Sequence, residues 1–206
     1  MNKRNWISCT AASLALLACG SDEGGEPASE GSASSADART SSAPTDSARS
    51  SDAPSQPALA SCVRGTLEPD FRALPLAGPA VTAGALRPGQ YVISSTYLQL
   101  AQDAAAQRLF QELLAPVRAD LETRSGLAAL SLGQSESCAV ARTLAVWDDD
   151  AAMIAFVGSP AHAAAVARAT GISRGGSVVT HWTGDEASAN WATAVQHVGA
   201  EDGPQY

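Results

Sequence analysis

Thr143-Leu144-Ala145-Val146-Trp147-Asp148-Asp149-Asp150-Ala151-Ala152-Met153, continued by Phe156 and by Ser159-Pro160-Ala161-His162, is the stretch that decides the fold. Residues 139–147 are rich in β-formers and predict a strand. Three aspartates then stand where a helix must begin, since carboxylates there accept unpaired N–H groups and oppose the positive end of the helix dipole. That helix reaches Val157 and stops at Gly158. Ser159-Pro160 opens another at once, with serine as N-cap and proline at N1, where its missing N–H is not needed. The second helix runs to about Ala169.

The rest of the order follows outward from there. Residues 127–132 predict a further strand, joined to 139–147 through the hairpin-like Gly133-Gln134-Ser135-Glu136-Ser137. Before it, Asp103 is placed as an N-cap, and Leu109, Phe110, Leu113, Val117 and Leu121 recur at helical spacing up to Gly126, which suits a C′ position. Pro116 inside that helix predicts a kink or a break. Residues 91–100 read as a first strand and 177–183, after a turn at 171–176, as a last one, so the order is βαββααβ. Residues 61–90, with Pro69, Pro75, Pro79 and Pro88 and little periodicity, read as an irregular lead-in over the domain surface. In the closing stretch, 185–206, a helix over 186–198 would pack Trp191, Val195 and Val198 on one face.

The first sixty residues carry an address. Lys3 and Arg4, a mostly apolar run over 6–18, and Leu16-Leu17-Ala18-Cys19 make a signal peptide, too short to span a bilayer stably. Its ending resembles the lipobox of bacterial lipoproteins, which implies cleavage after residue 18 and a diacylated Cys19 as the first mature residue. Gly20 rather than Asp follows, which in that class points to the outer membrane of a bacterial envelope. The alternative is an ordinary secretory signal with Cys19 unmodified. From Gly20 to Ala60 the chain is Ser, Ala, Asp, Glu, Gly and Pro with Leu59 as its one large aliphatic, too poor in apolar surface to order itself. As a flexible tether its root-mean-square span is about 35 Å.

The net charge is −8 over 206 residues, and without Lys3 and Arg4 it becomes −10, 11 arginines against 21 acidic residues. Such a surface disfavours nucleic acid as a partner. No lysine follows Lys3, which excludes Schiff-base, P-loop and lysine-base chemistry. With Cys9 lost with the signal and Cys19 acylated, Cys62 and Cys138 remain as a pair in an oxidising compartment. A disulfide is the natural inference, with two free buried thiols as the alternative.

The opening stretch resembles the strand-to-double-helix signature of the dimeric α+β barrel proteins of the antibiotic biosynthesis monooxygenase type, over residues 91–184. The resemblance implies an α+β, ferredoxin-like βαββααβ antiparallel sheet with helices on one face. The other, apolar face would close a dimeric α+β barrel against a second subunit, making a homodimer. It also implies a cleft between sheet and helices for a small hydrophobic or aromatic molecule, often oxidised without metal, flavin or other cofactor. Members include isomerases, haem degraders and proteins without known activity, so the fold does not fix the reaction. Haem is disfavoured, because Phe156 stands where haem-degrading members have Trp and Val166 where they have the ligating His.

Few groups can carry chemistry. His162, in the first turn of its helix, matches a histidine common in that superfamily and is the candidate general base or ligand-orienting group; a packing or capping role is its alternative. His181 alternates with Val179 and Thr183 while Trp182 faces the other way, so one of these rings lines the cleft or the dimer interface. Phe156 and Trp182 are candidate ligand walls, and His197 is expected to face solvent. Gly133-Gln134-Ser135-Glu136-Ser137 lacks the following helix that a nucleophile elbow needs, and three dispersed histidines give no zinc spacing. The expected function is an envelope lipoprotein that binds a small apolar or aromatic molecule and oxidises or isomerises it; the rival is a binding or assembly protein without catalysis.

Overall fold

The computed structural model describes residues 62–205; the signal, Cys19 and the tether lie outside the described residues. Three two-residue strands, β1 (Arg72–Ala73), β2 (Val81–Thr82) and β3 (Ala85–Leu86), precede β4 (Gln90–Gln99), α1 (Ala104–Thr123), β5 (Leu127–Ser135), β6 (Val140–Trp147), α2 (Asp150–Val157), α3 (Pro160–Ala167), β7 (Val178–Asp185) and α4 (Trp191–Ala200). From β4 to β7 this is the expected βαββααβ. The sheet is antiparallel in the order β1-β5-β6-β4-β7, and its last four strands have the ferredoxin-like arrangement.

Local chemistry sets the boundaries. The Asp103 carboxylate accepts the N–H groups of Ala105 and Ala106 at 3.1 and 2.9 Å, Asp149 accepts that of Ala152, and Ser159 caps α3 with Pro160 in its first turn. The break expected at Pro116 does not occur. Leu113 and Leu121 on either side of it are buried, while Glu112, whose carbonyl the proline cannot bond, is exposed and free to meet water. The β5–β6 connection is shorter than expected: β5 runs to Ser135, and the turn occupies 136–139, with Ala139 in the left-handed region at φ 46°. The terminal helix also starts later than expected. A 3-10 turn (Glu186–Ser188), capped by Asp185, intervenes, and Asn190 caps α4 through the Thr193 N–H at 2.9 Å.

Register assigns the two sheet faces, because directly paired residues share one. Val92, Trp147 and Ala145 point toward α1 and α2 and form a core with Leu121, Leu127 and Met153. Call this the inner face. The outer face carries Ile93, Tyr97, Leu144, Val146 and Val178. An expected dimeric barrel would bury it against a second copy; here the chain covers it itself, with Leu76, Ala80 and Leu86 from the lead-in and Ala194 and Val198 from α4.

The lead-in is therefore more ordered than its prolines suggested. Beyond the β1–β5 pair, its backbone bonds along the β5 edge, with Leu74 N–H donating to Leu132 O at 2.8 Å, Ala77 and Leu130 exchanging bonds, and Ala80 N–H donating to Ala128 O at 2.9 Å. Pro75 and Pro79 cannot donate and interrupt this edge strand, which is where proline is tolerated. Close approach explains two glycines: a Cβ at Gly78 would meet Ala128 O at 2.4 Å, and one at Gly199 of α4 would meet Gly65 Cα at 2.7 Å.

Polar latches hold the lead-in down. A disulfide joins Cys62 to Cys138 in the β5–β6 turn. Arg142, 1% exposed on the outer face, pairs with buried Glu68 at 2.8 Å, donates to the Thr66 carbonyl at 2.9 Å and lies 4.4 Å over the Tyr97 ring. The Asp70 carboxylate accepts the Ser135 and Ser137 hydroxyls and the Glu136 and Ser137 N–H groups. Burial raises its pKa, but these bonds outweigh it and hold the carboxyl well below the usual range.

Candidate functional site

On the inner face, β6 ends at Trp147 and the chain turns directly into α2 and α3, so three aromatic rings meet at one corner. Trp147, fully buried, stacks on Phe156 of α2 with centroids 5.3 Å apart and planes inclined by 27°. Phe156 meets His162 of α3 at 4.7 Å and 57°. The sequence suggested one cleft for Phe156 and His162, and across the 158–159 break between the helices their rings meet. Trp147 was missed as a site residue, although its place at the end of the strand before Asp148 was visible.

The orientation of His162 is fixed through its backbone surroundings. Ser159 Oγ accepts the His162 main-chain N–H at 3.3 Å, and the ring Nδ1 lies 3.0 Å from the Val157 carbonyl oxygen. A carbonyl only accepts, so Nδ1 is the protonated nitrogen in this contact and the neutral ring keeps its lone pair on Nε2. Behind it, Asp120 of α1 pairs with Arg124. The Ser159 hydroxyl first, and then Arg124 and His162 against the opposing effect of burial, hold the Asp120 carboxyl below its ordinary value. A carboxylate thus lies in the field of His162 from a helix the sequence reading had used only for packing.

The indole N–H of Trp147 donates to Ser94 Oγ at 2.9 Å. Ser94 pairs across β4–β7 with His181, which is exposed on the inner face. The neighbouring inner-face residues Thr96, Leu98, Ala141, Thr143 and Leu132 are only half-buried, so the helix layer leaves that side of the sheet partly open. Ser94 carried no signal in the sequence beyond its place in a strand.

Trp182 lies on the outer face, away from this corner. It stacks flat on His197 of α4, centroids 4.2 Å apart and planes 3° from parallel, and its indole nitrogen is buried without a partner among the described residues. His197 is thus half-buried against a ring rather than simply facing solvent. Among the described residues no three His, Cys, Asp or Glu side chains gather as a metal site.

No family model matches the chain, and no curated protein matches it closely. Among solved structures it is similar to the Mycobacterium tuberculosis protein Rv0793 (16% identity, 45% of this chain and 92% of that one, TM-score 0.40). It is also similar to protein SO0527 of Shewanella oneidensis (11%, 57% and 99%, TM-score 0.41) and to SnoaB, a cofactor-independent oxygenase of Streptomyces nogalater (17%, 46% and 90%, TM-score 0.36). The fold assignment stands on this chain's own strand order and register.

Proposed function

We propose that this chain is an envelope-anchored lipoprotein whose domain binds a small apolar or aromatic molecule beside Trp147, Phe156 and His162 and oxidises it with dioxygen, without a cofactor. The observation that supports this most is the His162 ring: packed on Phe156, with Nδ1 given to the Val157 carbonyl and Nε2 left as an acceptor. A methylene made acidic by flanking aromatic rings would lose a proton to Nε2, and dioxygen would take up the electrons. The balance is one CH2 and one O2 converted to one C=O and one water. The aromatic walls favour a flat ligand, and the half-buried inner face beyond Ser94 offers it room. A homodimer closed through the outer sheet face would require the lead-in and α4 to leave that face; a homodimer in this proposal uses another contact.

One observation favours the rival, a binding protein without catalysis. Among the described histidines only His162 packs into this corner, since His181 is exposed and His197 stacks on Trp182 across the sheet. The deciding experiment is oxygen uptake by the purified protein with quinols, anthrone-like phenols and fatty aldehydes. A general base typically contributes about 10²- to 10⁴-fold, so His162→Ala should lower turnover by that range with an unchanged urea midpoint. Ligand binding with no oxygen uptake in the unmodified protein establishes the rival. The anchor is tested separately: Cys19→Ser should release the protein from membranes or block its processing, and acyl-labelling that persists in the variant refutes lipidation.

A further inference from the structure

From Ala151 to Ala167 the chain contains no Asp, Glu, Lys or Arg, and this stretch is the α2–α3 corner. Its inward side holds Met153, Phe156 and His162. Its outward side exposes Ile154 (63%), Val157 (49%) and Val166 (45%), three of the most exposed large apolar residues among those described. Ala151, Ala155, Ala163, Ala164 and Ala167, Gly158 and Pro160 surround them and are exposed too. Among the described residues no single helix is long and apolar enough to cross a membrane; α2 and α3, bent by 59°, reach that length and apolarity only as a pair. A water-facing corner whose two helices carry no charge after Asp150 needs an apolar neighbour.

We propose that this corner docks on the surface of a lipid bilayer, with Ile154, Val157 and Val166 dipping into the headgroup–acyl boundary. Two features favour lipid over a protein partner. The proposed function anchors the chain through an acylated Cys19 about forty residues before the described domain, which keeps the domain at the membrane. The corner also offers no charged or hydrogen-bonding side chain on its outward side with which a protein partner would fix register, whereas lipid requires none. Docked in this way, Phe156 and His162 on the inward side of the same two helices lie next to the bilayer. That deepens the proposed function, on which it rests, by naming the substrate class as molecules dissolved in the membrane. Asp148, Asp149 and Asp150 border the corner and are exposed, so zwitterionic lipid should bind it better than anionic lipid.

The test uses the full chain with Ala163→Cys carrying an environment-sensitive fluorophore, reconstituted in phosphatidylcholine vesicles with or without brominated acyl chains. Cosedimentation reads the anchor and quenching reads the corner. Docking predicts a blue-shifted label quenched by bromolipid. It also predicts on the order of tenfold loss of the lipid-contacting population when Ile154→Asp and Val157→Asp are combined, with cosedimentation retained. Quenching that survives Cys19→Ser at high lipid concentration supports docking even if the anchor reading fails. A cosedimenting chain whose label emits as in water overturns docking and leaves the anchor standing. A label already blue-shifted without lipid, on a dimer that the two aspartates dissociate, overturns it in favour of a second copy.

Discussion

Reducing the Cys62–Cys138 bridge should destabilise the protein chiefly by freeing its unfolded state, and the cost can be worked from the position of the bridge. The two cysteines are 76 residues apart in sequence. In the chain-entropy description a loop of that length removes freedom from the unfolded state worth about 4.5 kcal/mol at 25 °C, at the upper end of the usual range of about 2 to 5. The native state loses little besides, because Glu68–Arg142 and Asp70 still hold the same segment. Urea unfolding of the oxidised protein and of a Cys62→Ala, Cys138→Ala variant gives the difference directly. With a slope of about 2 kcal/mol/M, the midpoint should fall by about 2 M. Midpoints agreeing to within about 0.5 M would refute the reasoning, since the bridge would then constrain an unfolded chain already held together elsewhere.

Glu68→Leu leaves the Arg142 guanidinium buried and unpaired and should cost about 3 to 5 kcal/mol by denaturant titration, whereas the double variant with Arg142→Met should recover a large part of that loss. Asp70 has a folded pKa below its ordinary 3.8, so its contribution is complete above that value and is lost as pH falls through and below it. Asp70→Asn should cost about 1 to 2 kcal/mol at neutral pH and flatten the decline in stability between pH 5 and pH 2; an unchanged acid limb would assign that decline to other carboxylates. At Gly133 a Cβ would sit 2.3 Å from Phe71 Cζ, so Gly133→Ala must push Phe71 from its edge contact with Trp191 and should lower stability by about 1 to 3 kcal/mol, measured by thermal unfolding.

The helices and strands from 90 to 185 were legible because their signals are local. Asp103, Asp149 and Ser159-Pro160 mark helix starts through bonds made within three residues, and alternation marks the strands. What escaped depends on contacts far apart in the chain. Nothing near Pro75 or Pro79 announces that the intervening backbone bonds to β5 some fifty residues later. Glu68 and Arg142 are individually ordinary surface types, and only their 74-residue pairing explains their burial. The candidate corner was half legible for the same reason: His162 and Phe156 belong to neighbouring helices and stood out in the sequence, while Ser94 and Asp120 arrive from β4 and α1. Alternation separates Trp182 from His181 but does not say which of them faces the helices, and it left Trp182 a candidate ligand wall, because its neighbour His197 lies in a different element.

The covering of the outer face also imposes an order on biosynthesis. The lead-in emerges before β5, β6 and α4, from a translocation channel as from the ribosome, so it has no sheet edge to join until residues up to about 147 are folded, and α4 arrives last of all. For that interval the nascent domain presents Ile93, Leu144 and Val146 uncovered. A neighbouring chain in the same state offers an identical lead-in that fits equally well, so crowded synthesis favours exchange of these arms and intertwined dimers. Early closure of the bridge within one chain commits each arm to its own sheet, which makes the timing of oxidation, rather than the final stability, the safeguard against swapping.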